Sequence, residues 1–457
     1  MAAAKAQMSL IDQKREKRII NKVTWRLVPF LVVAYLLCYI DRANLGFAAL
    51  TMNKDLGFTA TVFGWGAGIF FIGYFLFEVP SNLALAKFGA RKWIARIAIT
   101  WGIVSVAMSF VSGNASFLSL RFLLGAAEAG FYPGITYYLT FWFPERHRAV
   151  VFARFNLAQP FAYMIGATLS GLILKMNGFL GIAGWKWLFV LEGLPSVILG
   201  IITYMVLTDK PIKASWLAPE EREWLQGQID QEHARVEAVK KYSFWQSLGH
   251  PMVLLLGFMR VGVVMVTYGV GLWLPQMVKA LGHFSTSQIG FIVAVPYVFA
   301  AIGMLISGYS SDRTGERKYH MSIALVMSGV GLLGAACFSS NIVLTIICLS
   351  VTTVGIFAAC PIFWMLPSAF LTGSAAAAGI ALVNSIGNLG GFVGPLGMGW
   401  LKDVTGTFTA GLVVLAVGII SAGLIGFGIW VKTEKIKAAA MLLERQGNKA
   451  ASAEPVS

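Results

Sequence analysis

The chain has 457 residues, 57% of them hydrophobic and only 12% charged, with a mean hydropathy of +0.72 and a net charge of +15. No water-soluble globular domain has that balance, so the chain reads as an all-α polytopic membrane protein. The excess of Lys and Arg could suggest a nucleic-acid partner, but its distribution follows membrane topology instead.

Twelve apolar spans follow one another near 26–50, 59–84, 93–112, 117–142, 148–175, 188–208, 251–279, 286–310, 320–339, 342–370, 375–400 and 408–431. Each is long enough for a bilayer, and lipid leaves helices as the only option at this periodicity. With the N-terminus placed in the cytoplasm, 28 of the 36 Lys and Arg fall in cytoplasmic segments. Five (Lys54, Lys175, Lys186, Lys279, Lys402) fall outside and three (Arg42, Arg121, Arg260) within spans. That bias predicts both termini in the cytoplasm. The basic N-terminus shows no signal peptide.

The expected organisation is an N-terminal tail (1–25), a six-helix bundle (26–208), a cytoplasmic linker with an amphipathic helix (209–249), a second six-helix bundle (250–432) and a C-terminal tail (433–457). Pro219 followed by Glu220 and Glu221 marks the start of the linker helix. The cysteines (Cys38, Cys337, Cys348, Cys360) lie in apolar segments without metal-ligand spacing, and the histidines suggest no relay. Gly-rich runs lack the strand and Lys of a phosphate loop, so no ATP hydrolysis is expected; with no nucleophile–base set or metal cluster in the spans, no metal, no cofactor and no enzymatic activity are expected either.

Asp41 and Arg42 interrupt the first span. Each intramembrane charge costs about 2.5–3.5 kcal/mol on the insertion scale. Adjacent side chains on a helix diverge, so each charge needs its own partner. At ~1.5 Å per residue, Asp41 lies ~22 Å in from the cytoplasmic face, near the level of Arg121, while Glu128 lies near the midplane. Level alone therefore predicts an Asp41–Arg121 contact. It would leave Arg42 free to grip a carboxylate through paired hydrogen bonds, and Glu128 free to exchange a proton. The alternative for Asp41, Arg42 and Arg121 is an ion-pair network that fixes helix packing.

Tyr74, Gln159, Asn384 and Asn388 are polar at plausible depth, with interhelical hydrogen bonding as the alternative. Tyr39 and Trp364 could be core or an aromatic wall. Arg260 could be a second anion hook or could snorkel to the cytoplasm. Glu78 reads as a gate or loop anchor near the cytoplasmic end of its span.

The two halves look like repeats. Gly308, Asp312, Arg313, Gly315 and Arg317 after span eight have a counterpart after span two in Lys87, Gly89 and Arg91, with Ala86 where the acid would stand. The first of these loops resembles the G-x-L-a-D-R-x-G-R-R loop of the major facilitator superfamily. Asp41-Arg42-Ala43-Asn44-Leu45-Gly46, Phe77-Glu78-Val79-Pro80-Ser81-Asn82, the run from Arg121 to Gly134, Phe141-Trp142-Phe143-Pro144 and the run from Gly184 to Gly193 narrow the likeness. Together they resemble the anion:cation symporter family, which includes bacterial permeases for tartrate, phthalate, hydroxyphenylacetate and sugar acids.

The resemblance implies two pseudo-symmetric six-helix bundles and import of a small organic anion with protons, driven by the proton gradient, at the plasma membrane. It implies substrate contacts for the residues matching Arg42, Tyr74, Gln159 and the Asn of span eleven. Proton coupling falls to those matching Asp41, Arg121 and Glu128. Asp312, Arg313, Gly315 and Arg317 would latch the cytoplasmic side. A monomer is expected. The rivals are an antiporter or exporter of the same fold and a non-transporting anion sensor; the sensor would be expected to carry a sizeable soluble domain, and the longest loop here is 209–249.

Overall fold

The computed structural model describes residues 2–238, 251–366 and 373–451. The predicted linker beyond 238, the predicted end of span ten at 367–370 and residues 452–457 lie outside the described residues. Fifteen α-helices run in order among those residues: α1 (Ala2–Leu56), α2 (Ala60–Phe88), α3 (Ala90–Ala107), α4 (Asn114–Glu128), α5 (Phe131–Thr140), α6 (Glu145–Asn156), α7 (Ala158–Ile173), α8 (Gly184–Val206) and α9 (Pro219–Ala238). The second part contains α10 (Pro251–Ala280), α11 (Thr286–Thr314), α12 (Lys318–Cys337), α13 (Ile342–Phe363), α14 (Gly373–Thr405) and α15 (Thr409–Ala451). Ten segments are apolar and long enough to cross a membrane. The α4–α5 pair and α14 complete twelve crossings.

Span four differs from the single helix expected. It breaks at Ala129-Gly130, where Gly130 adopts φ 86°. A Cβ on Gly130 would fall 2.3 Å from Ser81 Oγ, so both the backbone conformation and the space require glycine. The expected N-terminal tail also differs: it is continuous with the first crossing in α1, and Ile19, Ile20 and Val23 are buried.

Within each half the helices meet through small residues, the usual solution where lipid offers no hydrophobic drive to associate. A Cβ on Gly125 would approach Phe70 O to 1.9 Å, which shows how closely α4 lies on α2. Between halves, α2 packs on α14 and α7 on α11, a pseudo-symmetric pair of contacts. Both are glycine-mediated, through Gly64 and Gly399 in the first and Gly171 and Gly290 in the second.

These approaches lie toward the face opposite the one that carries the termini. There Asp403 accepts hydrogen bonds from the Ala60 and Thr61 backbone N–H groups at 3.2 and 2.7 Å, and Lys279 Nζ donates to Leu50 O at 2.5 Å. On the terminal face α9 docks on the first half, with Glu221 beside Lys22 at 2.8 Å and Glu232 beside Arg148 at 2.8 Å. Large apolar side chains such as Met205, Phe258 and Ile306 point outward, as a lipid-facing surface requires.

Candidate functional site: a cavity between the halves

A cavity lies between the two halves. The first half contributes Tyr35, Tyr39, Arg42, Tyr74, Asn156 and Gln159; the second contributes Arg260, Tyr268, Trp364, Asn384 and Asn388. All six predicted substrate-contact residues are therefore brought together. Trp364 and Arg260, whose roles the sequence left open, line the same space.

Arg42 is the centre of the hydrogen-bond network. Its Nη2 lies 2.5 Å and its Nε 2.6 Å from Glu128 Oε1, while Nη1 donates to Tyr268 Oη at 2.6 Å. Cys38 Sγ donates to the same Glu128 oxygen at 3.0 Å. The guanidinium sits 5.2–5.4 Å from the rings of Tyr39, Phe70 and Tyr74, an aromatic cage suited to a cation.

The predicted Asp41–Arg121 contact is not made. Asp41 instead accepts hydrogen bonds from Ser105 Oγ and from Asn44 Nδ2, the latter at 3.1 Å. Arg121 donates through Nε to Gly66 O at 2.9 Å and stands over the Phe70 ring at 4.9 Å. Neither lines the cavity. The physical reason is rotation: depth along two helices says nothing about which way each side chain turns. The break after Glu128 also places that carboxylate against α1, where it meets Arg42.

Glu78 bridges the halves, deeper than a loop anchor would. It accepts from Asn384 Nδ2 at 2.9 Å, Ser385 Oγ at 3.3 Å and Asn388 Nδ2 at 3.4 Å. So both asparagines face the cavity with their amides already engaged.

Arg260 is the other cation. It stands 5.3 Å from the Phe363 ring and 5.1 Å from that of Trp364, and its Nε is buried without a hydrogen-bond partner. Among the described residues no carboxylate pairs with it.

The predicted latch does not join the halves in this conformation. Asp312 and Arg313 are exposed in the last turn of α11, Gly315 caps it at φ 68°, and Arg317 Nη1 contacts Met365 Sδ within the second half. In the counterpart loop after span two, the missing acid is supplied from the bend that follows α8: Asp209 accepts from the Arg91 N–H at 2.9 Å, and Arg91 Nε donates to Tyr204 O at 2.6 Å.

Sequence reading missed Tyr268, Ser105 and Cys38 as partners of the charges. Tyr268 left a signal: Arg260, Val264 and Tyr268 recur at four-residue spacing, which puts them on one face of α10.

Comparison with known proteins decides the family. The Major Facilitator Superfamily model matches residues 31–395 and 277–447. The chain belongs to the major facilitator superfamily. It is a transport protein of the membrane and not an enzyme. A relative in Agrobacterium vitis whose name assigns it tartrate transport is 51% identical over 89% of this chain and 90% of its own. A quinolone resistance transporter of Acinetobacter baumannii is 44% identical over 92% of this chain and 97% of its own. The metabolite transport protein NicT of Pseudomonas putida is 41% identical over 88% and 92%. Among solved structures, a bacterial Spinster homologue in an inward-facing, unoccupied conformation aligns with TM-score 0.73 at 15% identity, covering 91% of this chain and 98% of that one. A D-xylose–proton symporter aligns at 0.68 and 16%, covering 88% and 97%. These two likenesses are of fold.

Proposed function

We propose that this transporter imports a small organic carboxylate together with protons by alternating access, with both termini in the cytoplasm of a bacterial cell and the linker joining two moving six-helix halves. The observation that carries the reading is the pair of guanidinium groups in one cavity, one from each half, of which only Arg42 has a carboxylate partner among the described residues. Arg260 supplies an uncompensated positive charge and a planar donor fork for the substrate carboxylate. The tartrate transporter by name, half identical along nearly all of the chain, supports a hydroxylated acid, for which Tyr39, Tyr74, Gln159, Asn384 and Asn388 offer hydroxyl and amide partners.

Coupling follows from the Arg42–Glu128 pair. While Glu128 is ionised, Arg42 is neutralised. When Glu128 takes a proton, Arg42 is released and the cavity gains a second free cation, so proton uptake strengthens anion binding. The reciprocal holds: a bound anion on Arg42 favours the protonated Glu128. Asp41 and Arg121, packed behind this pair, hold α1 and α4 in place and adjust it.

The test uses proteoliposomes with tartrate as probe. Glu128→Gln should lose gradient-driven accumulation while keeping tartrate exchange; undiminished uphill uptake would sink the coupling role. Arg42→Ala and Arg260→Ala should each weaken tartrate binding, by about tenfold or more for a lost charge-assisted hydrogen bond. Unaltered affinity in both would remove the anion-hook reading. The quinolone resistance relative supports a second reading, export by antiport. A proton gradient imposed in either direction separates the two, since symport follows the gradient and antiport opposes it.

A further inference from the structure

On the terminal face, where α2 turns into α3, stands a group of cations that the transport reading does not use. Lys87 lies in the last turn of α2, and Lys92 and Arg96 are four residues apart on one face of α3. None of them lines the cavity. Arg91 is engaged elsewhere: it donates through Nε to Tyr204 O at 2.6 Å and stands 4.6 Å from that ring. Asp209, the acid at this turn, accepts from the Arg91 N–H at 2.9 Å.

Arg96 is the unusual member. Counted from Ala90 at ~1.5 Å per residue, it stands ~9 Å along α3. Ile103 and Phe110 follow it at seven-residue intervals and are 55% and 78% exposed, so Arg96 heads a stripe that looks out to lipid. Its Nε is buried without a hydrogen-bond partner. Among the described residues no carboxylate pairs with Lys87, Lys92 or Arg96. An unpaired cation at such a position is costly, and a long side chain relieves the cost by reaching for the interface.

The ring contacts show where Arg96 reaches. Its guanidinium lies 4.0 Å from the centre of the Trp93 ring, one turn nearer the terminal face. Trp93 stacks on Phe88 at 5.5 Å and donates through Nε1 to Ser81 Oγ at 3.0 Å. Lys87 Nζ lies 5.7 Å from the Phe88 ring. The chain of contacts Lys87–Phe88–Trp93–Arg96 thus forms a two-ring shelf with a cation on each ring, and Lys92 is exposed beside it. Ser81, which holds the indole, is buried and fills the space over Gly130 at the break of span four.

This shelf has the chemistry of a lipid headgroup site. A fixed guanidinium donates paired hydrogen bonds to a phosphate, Trp favours the membrane interface, and clustered Lys and Arg there attract anionic lipids. The apolar stripe that runs from Arg96 toward the bilayer centre suits an acyl chain.

We propose that the α2–α3 shelf binds an anionic phospholipid from the leaflet on the terminal face. Arg96 grips the phosphate, Lys87 and Lys92 add charge, and an acyl chain lies along Ile103. Through Trp93 and Ser81 the bound lipid braces α2 against α3. The proposal goes beyond the carboxylate reading and stands without it.

The test needs no transported substrate. The full-length chain, purified in detergent, is mixed with equal amounts of phosphatidylglycerol and phosphatidylcholine of the same acyl chains, and bound lipid is counted by native mass spectrometry. The wild type should hold phosphatidylglycerol in preference, and that lipid should raise its melting temperature more than phosphatidylcholine does. Arg96→Gln should hold about fivefold less phosphatidylglycerol, the factor for one basic residue at an anionic surface, and should lose the extra thermal shift. Arg96→Lys should recover part of both. Lys213→Gln, which removes an exposed cation from the loop after α8, should change neither. Equal retention of the two lipids by the wild type, an Arg96→Gln variant that matches the wild type, or an equal loss in Lys213→Gln overturns the site. So does complete displacement of the lipid by inorganic phosphate. If Arg96→Gln does not fold, a double variant carrying Lys87→Gln and Lys92→Gln, both exposed positions, decides in its place by the same two readouts. Failure here would leave the tartrate results standing, and failure of those would leave this site untouched.

Discussion

Arg42 and Arg260 bring the same guanidinium into one cavity, and their neighbours give the two groups different chemistry. Arg42 spends two of its nitrogens on Glu128 and one on Tyr268. Arg260 has aromatic rings beside it and a buried Nε without a partner. The sequence argument that neighbours on a helix cannot pair was right about Asp41 and Arg42, which turn to different helices. It failed on which helices, because a count of depth is blind to rotation. Glu78 offers a further residue-scale prediction. Its carboxylate is the acceptor for Asn384, Ser385 and Asn388, so Glu78→Ala would strand three buried or half-buried donors between the halves. Thermal unfolding in detergent should show a loss of about 1–3 kcal/mol, the cost of leaving such groups unsatisfied. Glu78→Gln, which keeps an acceptor oxygen, should recover part of it. A melting temperature for Glu78→Ala equal to wild type would mean the bridge contributes nothing.

At the scale of helices, hydropathy located the crossings well because each must satisfy its backbone internally over the width of a bilayer. What hydropathy could not see was continuity. It merged α4 and α5, since Gly130 is apolar by composition and the space that excludes a side chain there is taken by Ser81 of another helix. The missing acid of the loop after span two was illegible for a related reason: Asp209 reaches Arg91 from the bend beyond α8, far away in sequence. Close helix approach, by contrast, left its mark as glycine. Gly125 has no space for a side chain, because its Cβ would sit 1.9 Å from a backbone oxygen that cannot move aside. Gly125→Val should therefore separate α4 from α2 and displace Arg121 and Glu128 with it. The expected outcome is poor folded yield by size-exclusion chromatography and no tartrate accumulation in what is recovered. Wild-type behaviour would mean that α2 and α4 can part without cost.

At the scale of the molecule, alternating access requires that contacts on one face break while those on the other form. The clasp best placed to break is Asp403, which caps the N-terminus of α2 from the end of α14 and so joins the two halves at the face opposite the termini. Partial burial pushes its carboxyl up, but hydrogen bonds from Thr61, Ala60 and Thr59 outweigh that and hold it below the ordinary carboxylate range. The sign follows. The closed face gains the full clasp at any pH above about 3.9, the ordinary Asp value, and loses it only as pH falls through the lowered value. At neutral pH the charge is therefore present, and removing it should open this face. A carboxylate at a helix N-terminus contributes about 0.3–1 kcal/mol more than a neutral group. Asp403→Asn should then raise the population open at this face by about two- to fivefold. Spin labels at Lys54→Cys and Thr407→Cys, both exposed on the turns concerned, report the distance between the halves. The long-distance population should grow in Asp403→Asn and, in the wild type, only at strongly acidic pH. An unchanged distance distribution would mean that the glycine contacts of α2 with α14 and α7 with α11 hold the face shut without help from Asp403.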